Sequence, residues 1–542
     1  NLCAWIRSQP GGQVHPGLEL RQLSDQNRSI FATSSIAVGE TLIQLPRSLA
    51  VDGSHLPDSY EPTSLGGEAQ RERRHVSPWL RCLAAYYQTR QQALQEKPNN
   101  KQCYLASLPQ KYETVSISWL KDEIDSFLAG TSTQGGVTSW HQDESVVKDR
   151  YLNQIRPYLV HCGIFEQHDT MIDGGADSMN DDNSMSDGTK LNEEIDEFLK
   201  ASQCLSTRCF HLQSDQSDEP SQSDDASSYT GPYLLPWIDL LNHSVSQKCT
   251  TLQSNNDHFF MIAERPLKSG QEIYHSYGDS LSAGQFLQTF GFMERDILEG
   301  WADPDQGRRS ALMVSSPVLM AKQDILKACW DVIESDFPRR LTQAMEQAEM
   351  EDEVWTVKID RSRSTDFLPD QILIDQKPHQ QQGQSSSGGE NSYDSTENLM
   401  ISDELVTLAC LPFLPICAYR EAARSLLGPE ILEDFFLGHL VCKSLLQAIH
   451  SRLKVYKPIV WDGVERPNDQ QLLEELLTIS SSVKGERAMY GIALRLEEKA
   501  TLRAFQKELV QILADLEDEE CRVEGIHDFT ESENATKKLR MS

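Results

Sequence analysis

Four residues recur in the same order 231 positions apart: Ala32, Ile36, Gly39 and Leu42 in "SIFATSSIAVGETLIQLP" match Ala263, Leu267, Gly270 and Ile273 in "HFFMIAERPLKSGQEIYHSY". Each set lies among β-branched and aromatic residues on either side of a glycine turn, so both segments predict the same strand-turn-strand unit. The pattern calls for two similar hairpins in one β-rich domain, separated by a long insertion.

The chain has 542 residues, and single hydrophobic cores stop growing beyond roughly 250 to 300 residues, so two or more domains are expected. Three segments break the apolar pattern: 166–194 and 213–229, rich in Asp and Ser, and 376–399, which runs through "HQQQGQSSSGGENSYDS". Each has too little apolar material to offset ordering entropy and reads as a flexible, disordered insertion. Ser77 is the expected cap of a helix that starts on Pro78, with Leu80, Leu83, Ala84 and Tyr87 at helical spacing. Beyond about residue 300 helical stripes take over: Val441, Leu445, Ile449 and Leu453, then Leu502, Phe505, Leu509, Ile512 and Leu516, with Asn468 or Asp469 as the cap between them.

The formal charge of −32 argues against a nucleic-acid partner, since phosphate contacts need clustered Lys and Arg and no basic stripe is present. No window approaches the about 18 uninterrupted apolar residues of a membrane span. The 12 cysteines contain no C-x-x-C pair and no zinc-finger spacing, which favours a reducing compartment and predicts no metal. An intracellular location, cytoplasmic or nuclear, is expected; a plastid is also open because the chain begins at Asn1 rather than Met.

The chemistry gathers at "LLPWIDLLNHSVSQ", an apolar run ending on Asn242, His243 and Ser244. Taken alone it has a structural reading, polar side chains satisfying loose backbone groups at the end of a buried strand. It also has a hydrolytic one, because Asp239, His243 and Ser244 supply the residue types of a catalytic triad. Adjacent His and Ser side chains seldom reach the geometry a triad needs.

A third reading comes with "GQEIYHSYGDSLSAGQFLQTFGF". Apolar-x-x-Asn-His, a Gly turn, a strand ending in Tyr277-Gly278 and then Gly291-Phe292 resembles the SET-domain methyltransferases, in the branch of the Rubisco large-subunit lysine methyltransferase and the actin-histidine methyltransferase. "SIFATSSIAVGETLIQLP" resembles that family's opening strands and "YLASLPQKYETVSISW" its inserted helical region. "LSTRCF" is similar to the segment ahead of the Asn-His pair, and "YGIALRLEEKATLRAF" to the C-terminal substrate-binding domain.

The resemblance implies an α+β protein: residues 1–60 and 196–295 forming a split SET domain, a helical insertion over 61–195, and an all-α substrate-binding domain over 296–542. It implies S-adenosylmethionine as cofactor, bound by Asn242 and His243 in a knot-like crossing, by the loop around Arg28, Ser29 and Ile30, and by Thr207 and Arg208. Tyr277 takes the place of the catalytic tyrosine at the methyl-transfer channel, and the carbonyls of Thr207 and Asp239 stand near the acceptor nitrogen. His275 alternates with Tyr277 along the strand and is a further candidate. Lysine is the expected acceptor on a non-histone protein, held through the helical domain by a monomeric enzyme. A histidine acceptor, or a catalytically degraded SET-fold interaction protein, is the alternative. The sequence departs from the family at Ser29, where a glycine is usual, at Phe290, where many relatives have tyrosine, and in the missing Asn after Tyr277-Gly278.

Overall fold

A computed structural model of the chain describes residues 2–23, 28–61, 74–94, 101–109, 111–115, 118–134, 144–165, 184–213, 229–278, 281–303, 318–321, 324–325, 327–329, 371–376, 399–401, 403–410, 432, 435–479 and 482–540. It forms two compact units, the first comprising Asn1–Trp119, Thr138–Ser280 and Leu287–Glu294, the second Leu120–Val137, Leu281–Phe286 and Arg295–Ser542.

The two matching segments are in the first unit and pair with each other. Ile36 and Leu267 exchange both backbone hydrogen bonds, at 3.1 and 3.0 Å. Gly39 N–H donates to the Ala263 carbonyl at 2.8 Å, and Gly270 N–H donates to that of Ala32 at 2.7 Å. Ala263 N–H in turn donates to Glu40 and Ala32 N–H to Gln271. Every bond maps onto its partner by the 231-residue shift, with Ile36 and Leu267 at the centre of a local two-fold. Even the turns agree. Glu40 Oε1 accepts from Ala37 N–H at 2.9 Å, and Gln271 Oε1 from Lys268 N–H at 3.0 Å.

From this crossing grows an antiparallel sheet of Gln13–Val14, Thr41–Pro46, His258–Ala263 and Thr250–Ser254, in that order. Its strands alternate as half-buried strands do: Phe259, Met261 and Ala263 point into the core and meet Ile43 and Leu45 across the ladder. A second antiparallel pair joins Leu18–Gln22 to Arg28–Ala32.

The helix Pro78–Leu94 starts where expected, with Ser77 Oγ accepting the Leu80 N–H at 3.2 Å; Leu80, Leu83, Ala84 and Tyr87 are all buried. Of the three expected insertions, residues 166–183, 214–228 and 377–398 lie outside the described residues. The first was drawn too long, because a helix runs Ser184–Arg208. Leu191, Ile195, Phe198, Ala201 and Leu205 face the core along it. These residues recur at steps of three and four, a stripe masked in the sequence by the Asp- and Ser-rich composition around its start. The run "LLPWIDLL" is buried but is not the expected strand. A strand Tyr229–Leu234 ends there, Trp237 takes φ 74°, and Ile238–Leu240 form a single 3-10 turn.

The second unit is mainly helical. Phe435–Val455, Asp469–Ile479 and Val483–Arg540 are its long helices, and Asn468 Oδ1 caps the middle one by accepting from Gln470 and Gln471 at 3.1 and 3.2 Å. It also carries a three-stranded sheet of Val318–Ala321, Gln371–Gln376 and Leu399–Ile401, and a hairpin of Ile459–Trp461 with Val464–Arg466. The expectation of an all-α unit did not include these strands, which are three to six residues long and stand between longer helical stripes. Residues 120–137 belong to this unit although they lie in the middle of the expected insertion. Glu123 pairs with Arg487, Ala129 O accepts from Arg495 at 2.9 Å, and Ser132 N–H donates to Glu498 at 2.8 Å.

Gly39 and Gly270 have φ of +81° and +83°, and a Cβ at either would meet nothing within 4 Å. Backbone strain alone therefore sets the cost of a side chain there. Gly39→Ala and Gly270→Ala should each destabilise the first unit by about 1–2 kcal/mol and by nearly equal amounts, read from urea unfolding of the two variants.

Candidate active site

Asn242 and His243 form a two-residue strand parallel to Tyr274 and His275, with Asn242 opposite Tyr274 and His243 opposite His275. A parallel pair cannot be closed by a hairpin, so the 30 or so residues between must cross over and return. Here they do so through the antiparallel pair Thr250–Ser254 and His258–Ala263. Ser244 N–H adds a bond to the His275 carbonyl at 3.1 Å. The polar end of the apolar run is thus threaded beside the second matched hairpin.

Two carboxylates absent from the sequence reading hold this crossing. Glu272 Oε1 accepts from Asn242 Nδ2 at 3.0 Å and from the Ser29 hydroxyl, and its Oε2 accepts from Tyr274 OH at 2.8 Å. Glu294 Oε1 lies 3.0 Å from His243 Nε2 and accepts from Val245 N–H at 2.9 Å, while its Oε2 lies 3.3 Å from Ser244 Oγ. Burial pushes the Glu294 carboxyl up, but the bonds from His243, Val245 and Ser244 outweigh it and hold the group below the ordinary range. Glu272 had one signal in the sequence, a carboxylate set next to buried Ile273 in a strand. Glu294 had none, standing 51 residues from His243 with no pattern linking them.

Tyr277 is partly buried. Its N–H donates to His243 Nδ1 at 3.0 Å and its hydroxyl to the Leu241 carbonyl at 2.8 Å. Its ring lies 5.1 Å from that of His243 and 5.0 Å from Phe290, with Phe292 edge-on at 6.3 Å. Burial pushes the phenol up to about 12, with Arg208 opposing and Asp239 adding.

Beside it is a buried charged cluster. Arg208 Nη1 donates to the Asp239 carbonyl at 2.9 Å and lies 3.5 Å from its Oδ2, which also accepts from Tyr104 OH at 3.0 Å. Burial raises the Asp239 carboxyl, opposed by Arg208 and Tyr104. Arg28 donates to the Ser107 carbonyl, and burial together with Arg208 lowers its guanidinium.

The structure therefore brings Asn242, His243, Tyr277 and Ser29 together through Glu272 and Glu294, with Arg28, Arg208 and Asp239 adjoining. Two expectations change, the loop placement of residues 28–30 and the shared face of His275 and Tyr277. Arg28, Ser29 and Ile30 are not loop residues; they lie in a strand paired with Gln22, Arg21 and Leu20, because Ser29 and Ile30 are fully buried and Ile30 O accepts from Ile273 N–H at 2.8 Å. The turn ahead of them, 24–27, lies outside the described residues. The Asp239 carbonyl accepts from the Arg208 guanidinium and keeps a second lone pair, and the Thr207 hydroxyl donates within its own helix to Gln203 O at 2.8 Å, apart from its carbonyl. His275 does not share the Tyr277 face: its ring meets Phe210 at 6.0 Å and Thr250 Oγ1 at 3.3 Å. The hydrolytic reading fails on geometry. Neither His243 nitrogen points at Ser244, and Asp239 is engaged by Tyr104 and Arg208.

A phenol held up to about 12 stays neutral where an ordinary tyrosine, near 10, ionises. Between those values only the unfolded chain releases this proton, so stability falls as pH rises through that window. Ultraviolet difference titration of wild type against Tyr277→Phe should show almost no phenolate from Tyr277 at pH 10; ionisation at the ordinary value would contradict the packing of its ring and hydroxyl.

Comparison with known proteins places these features. Residues 27–278 match the SET domain family. The chain is 23% identical over 296 residues to the N-lysine methyltransferase SETD6 of Mus musculus, covering 54% of this chain and 53% of that protein. It is 22% identical over 278 residues to the Homo sapiens SETD6, covering 51% and 50%. The chain thus spans about half the length of the curated relatives it matches. Among solved structures, the SET domain of LSMT bound to lysine and AdoHcy aligns with a TM-score of 0.55 at 16% identity, covering 95% of this chain and 92% of that one. Rubisco LSMT bound to AdoMet aligns at 0.54 and 15% identity, covering 97% and 95%. Residues 27–278 thus match the SET domain, and the chain shares the fold of Rubisco LSMT.

Proposed function

We propose that the chain is an S-adenosylmethionine-dependent protein methyltransferase that transfers a methyl group to a lysine side chain of a non-histone protein. The observation that carries this reading is the bond from Tyr277 N–H to His243 Nδ1, which locks the tyrosine to the Asn-His crossing. The names of the relatives support it: SETD6 is an N-lysine methyltransferase, and LSMT has been seen with lysine, AdoMet and AdoHcy.

The residues present fit the cofactor. Two buried polar atoms in the charged cluster, Arg208 Nε and Asp239 Oδ1, have no hydrogen-bond partner. A donor and an acceptor left over in one cluster suit the carboxylate and ammonium of an amino-acid moiety. S-adenosylmethionine supplies a methyl group on a sulfonium, open to in-line displacement. The protein's task is then alignment and exclusion of water. Tyr277 spends its one O–H on the Leu241 carbonyl. Its oxygen therefore presents lone pairs, which suit weak C–H···O contacts to a polarised methyl. A lysine ammonium, near 10.4 in water, must lose its proton before attack. The apolar wall of Phe290 and Phe292 around Tyr277 favours the neutral amine by desolvation.

The reading extends to a protein substrate held by the mainly helical unit and to an intracellular monomer, in keeping with the described cysteines being free thiols.

Calorimetric titration with S-adenosylmethionine tests it. Wild type should show saturable binding that an Asn242→Ala, His243→Ala double variant loses. Tyr277→Phe should keep binding and lower kcat on the order of a hundred-fold. A folded wild type that binds no cofactor would sink the reading.

A further inference from the structure

We propose that Glu294 is a positioning residue for Tyr277, acting through the ring of His243. Its kinetic consequence rests on the methyltransferase reading; its geometry does not.

His243 Nδ1 accepts the Tyr277 N–H at 3.0 Å, which requires a lone pair on that nitrogen. The ring hydrogen must then sit on Nε2, which lies 3.0 Å from Glu294 Oε1 in a charge contact rather than an aligned hydrogen bond. A carboxylate at that place selects this tautomer, as the outer partner of an imidazole generally does. The other tautomer, or a doubly protonated ring, would set an N–H against the Tyr277 N–H. Donor would face donor, and the tyrosine backbone would lose its anchor.

The Tyr277 N–H favours the same tautomer from the other side of the ring, and Glu294 adds the charge that holds it. The Tyr277 ring at 5.1 Å and the Phe292 ring at 6.1 Å pack against it. Glu294 also ties down the two residues that follow His243, through Val245 N–H and Ser244 Oγ. One side chain thus fixes both the position of the ring and its proton. Tyr277 is held at its N–H by His243 and at its hydroxyl by Leu241, so both of its anchors belong to 241–243, the stretch that Glu294 clamps. A shift of the hydroxyl by a fraction of an ångström would misalign the group that faces the transferring methyl.

The test reads the ring directly. Two-bond proton–nitrogen spectra of ring-labelled histidine, with His243 assigned by its loss in His243→Gln, should show wild type at pH 7 with the hydrogen on Nε2 and a bare Nδ1. In Glu294→Gln the amide oxygen can replace Oε1, so the tautomer and most of kcat should be kept. In Glu294→Ala the tautomers should mix and kcat should fall about ten-fold or more, with the KM for S-adenosylmethionine changed less than about two-fold. Should Glu294→Ala not fold, Glu294→Asp, which withdraws the carboxylate by one methylene, takes its place with the same expectation. A wild-type hydrogen on Nδ1 overturns the proposal. So does an alanine or aspartate variant that keeps both tautomer and kcat, or a folded glutamine variant that loses both. A chain with the expected tautomer but no methyl transfer would refute the functional reading and leave the positioning by Glu294 standing.

Discussion

The structure of the first unit hangs on the reciprocal hydrogen bonds between the two matched hairpins. Gly39 to Ala263 and Gly270 to Ala32 are the same bond made twice, about a centre where Ile36 and Leu267 exchange both of theirs. This crossing joins residues more than 200 positions apart, so its loop-closure entropy must be met by packing. The fully buried Ile30, Ala32, Ile36, Leu45, Phe259, Met261 and Ile273 around it supply that packing. Once it is formed, the strand carrying Ser29 and the strand carrying Tyr274 have no freedom to slide. A slip of one residue would turn every buried side chain outward.

The candidate site is a consequence of that register. Ile273 N–H bonds to Ile30 O, so the residue before it, Glu272, is set opposite Phe31 and within reach of Ser29. From there the carboxylate meets Asn242, and Asn242 in turn fixes which residue of the apolar run lies beside Tyr274. Glu294 does the same for His243 from the other side. Partly buried carboxylates are costly unless each oxygen is paired, and here Glu272 accepts three side-chain donors while Glu294 meets a ring, a backbone N–H and a hydroxyl. Removing either would leave several donors stranded together.

What was legible in the sequence follows from how local each signal is. The cap at Ser77, the cap at Asn468 and the leucine stripes depend on neighbours within a turn or two, and they stand where read. The duplicated hairpin was legible because its four points repeat at a fixed offset. That the two copies bond to each other was not, since pairing is a property of space rather than of spacing. The helix Ser184–Arg208 was hidden because composition was weighed over its first turns, where Asp and Ser prevail, instead of over its apolar stripe. Glu294 and Tyr104 were invisible for a simpler reason: each acts on a residue 50 or more positions away and has an unremarkable neighbourhood of its own.

Ser29 shows how a departure from a family pattern is absorbed. A glycine is needed where φ is positive or where a Cβ would clash. Neither holds at this position. Ser29 sits in a regular antiparallel strand opposite Arg21, and among the described residues only Trp237 and Asp462 have positive φ without being glycine. Its hydroxyl is fully buried, which would cost free energy if left unpaired, but Glu272 accepts it. The extra oxygen therefore does not disturb the strand; it adds a bond between the strand that precedes the crossing and the carboxylate that holds Asn242. Phe290, the other expected departure, sets a ring without a hydroxyl 5.0 Å from that of Tyr277. The first substitution tightens the scaffold and the second dries the surroundings of the tyrosine. Tyr277 thus lies against two phenylalanine rings, with its proton committed to Leu241.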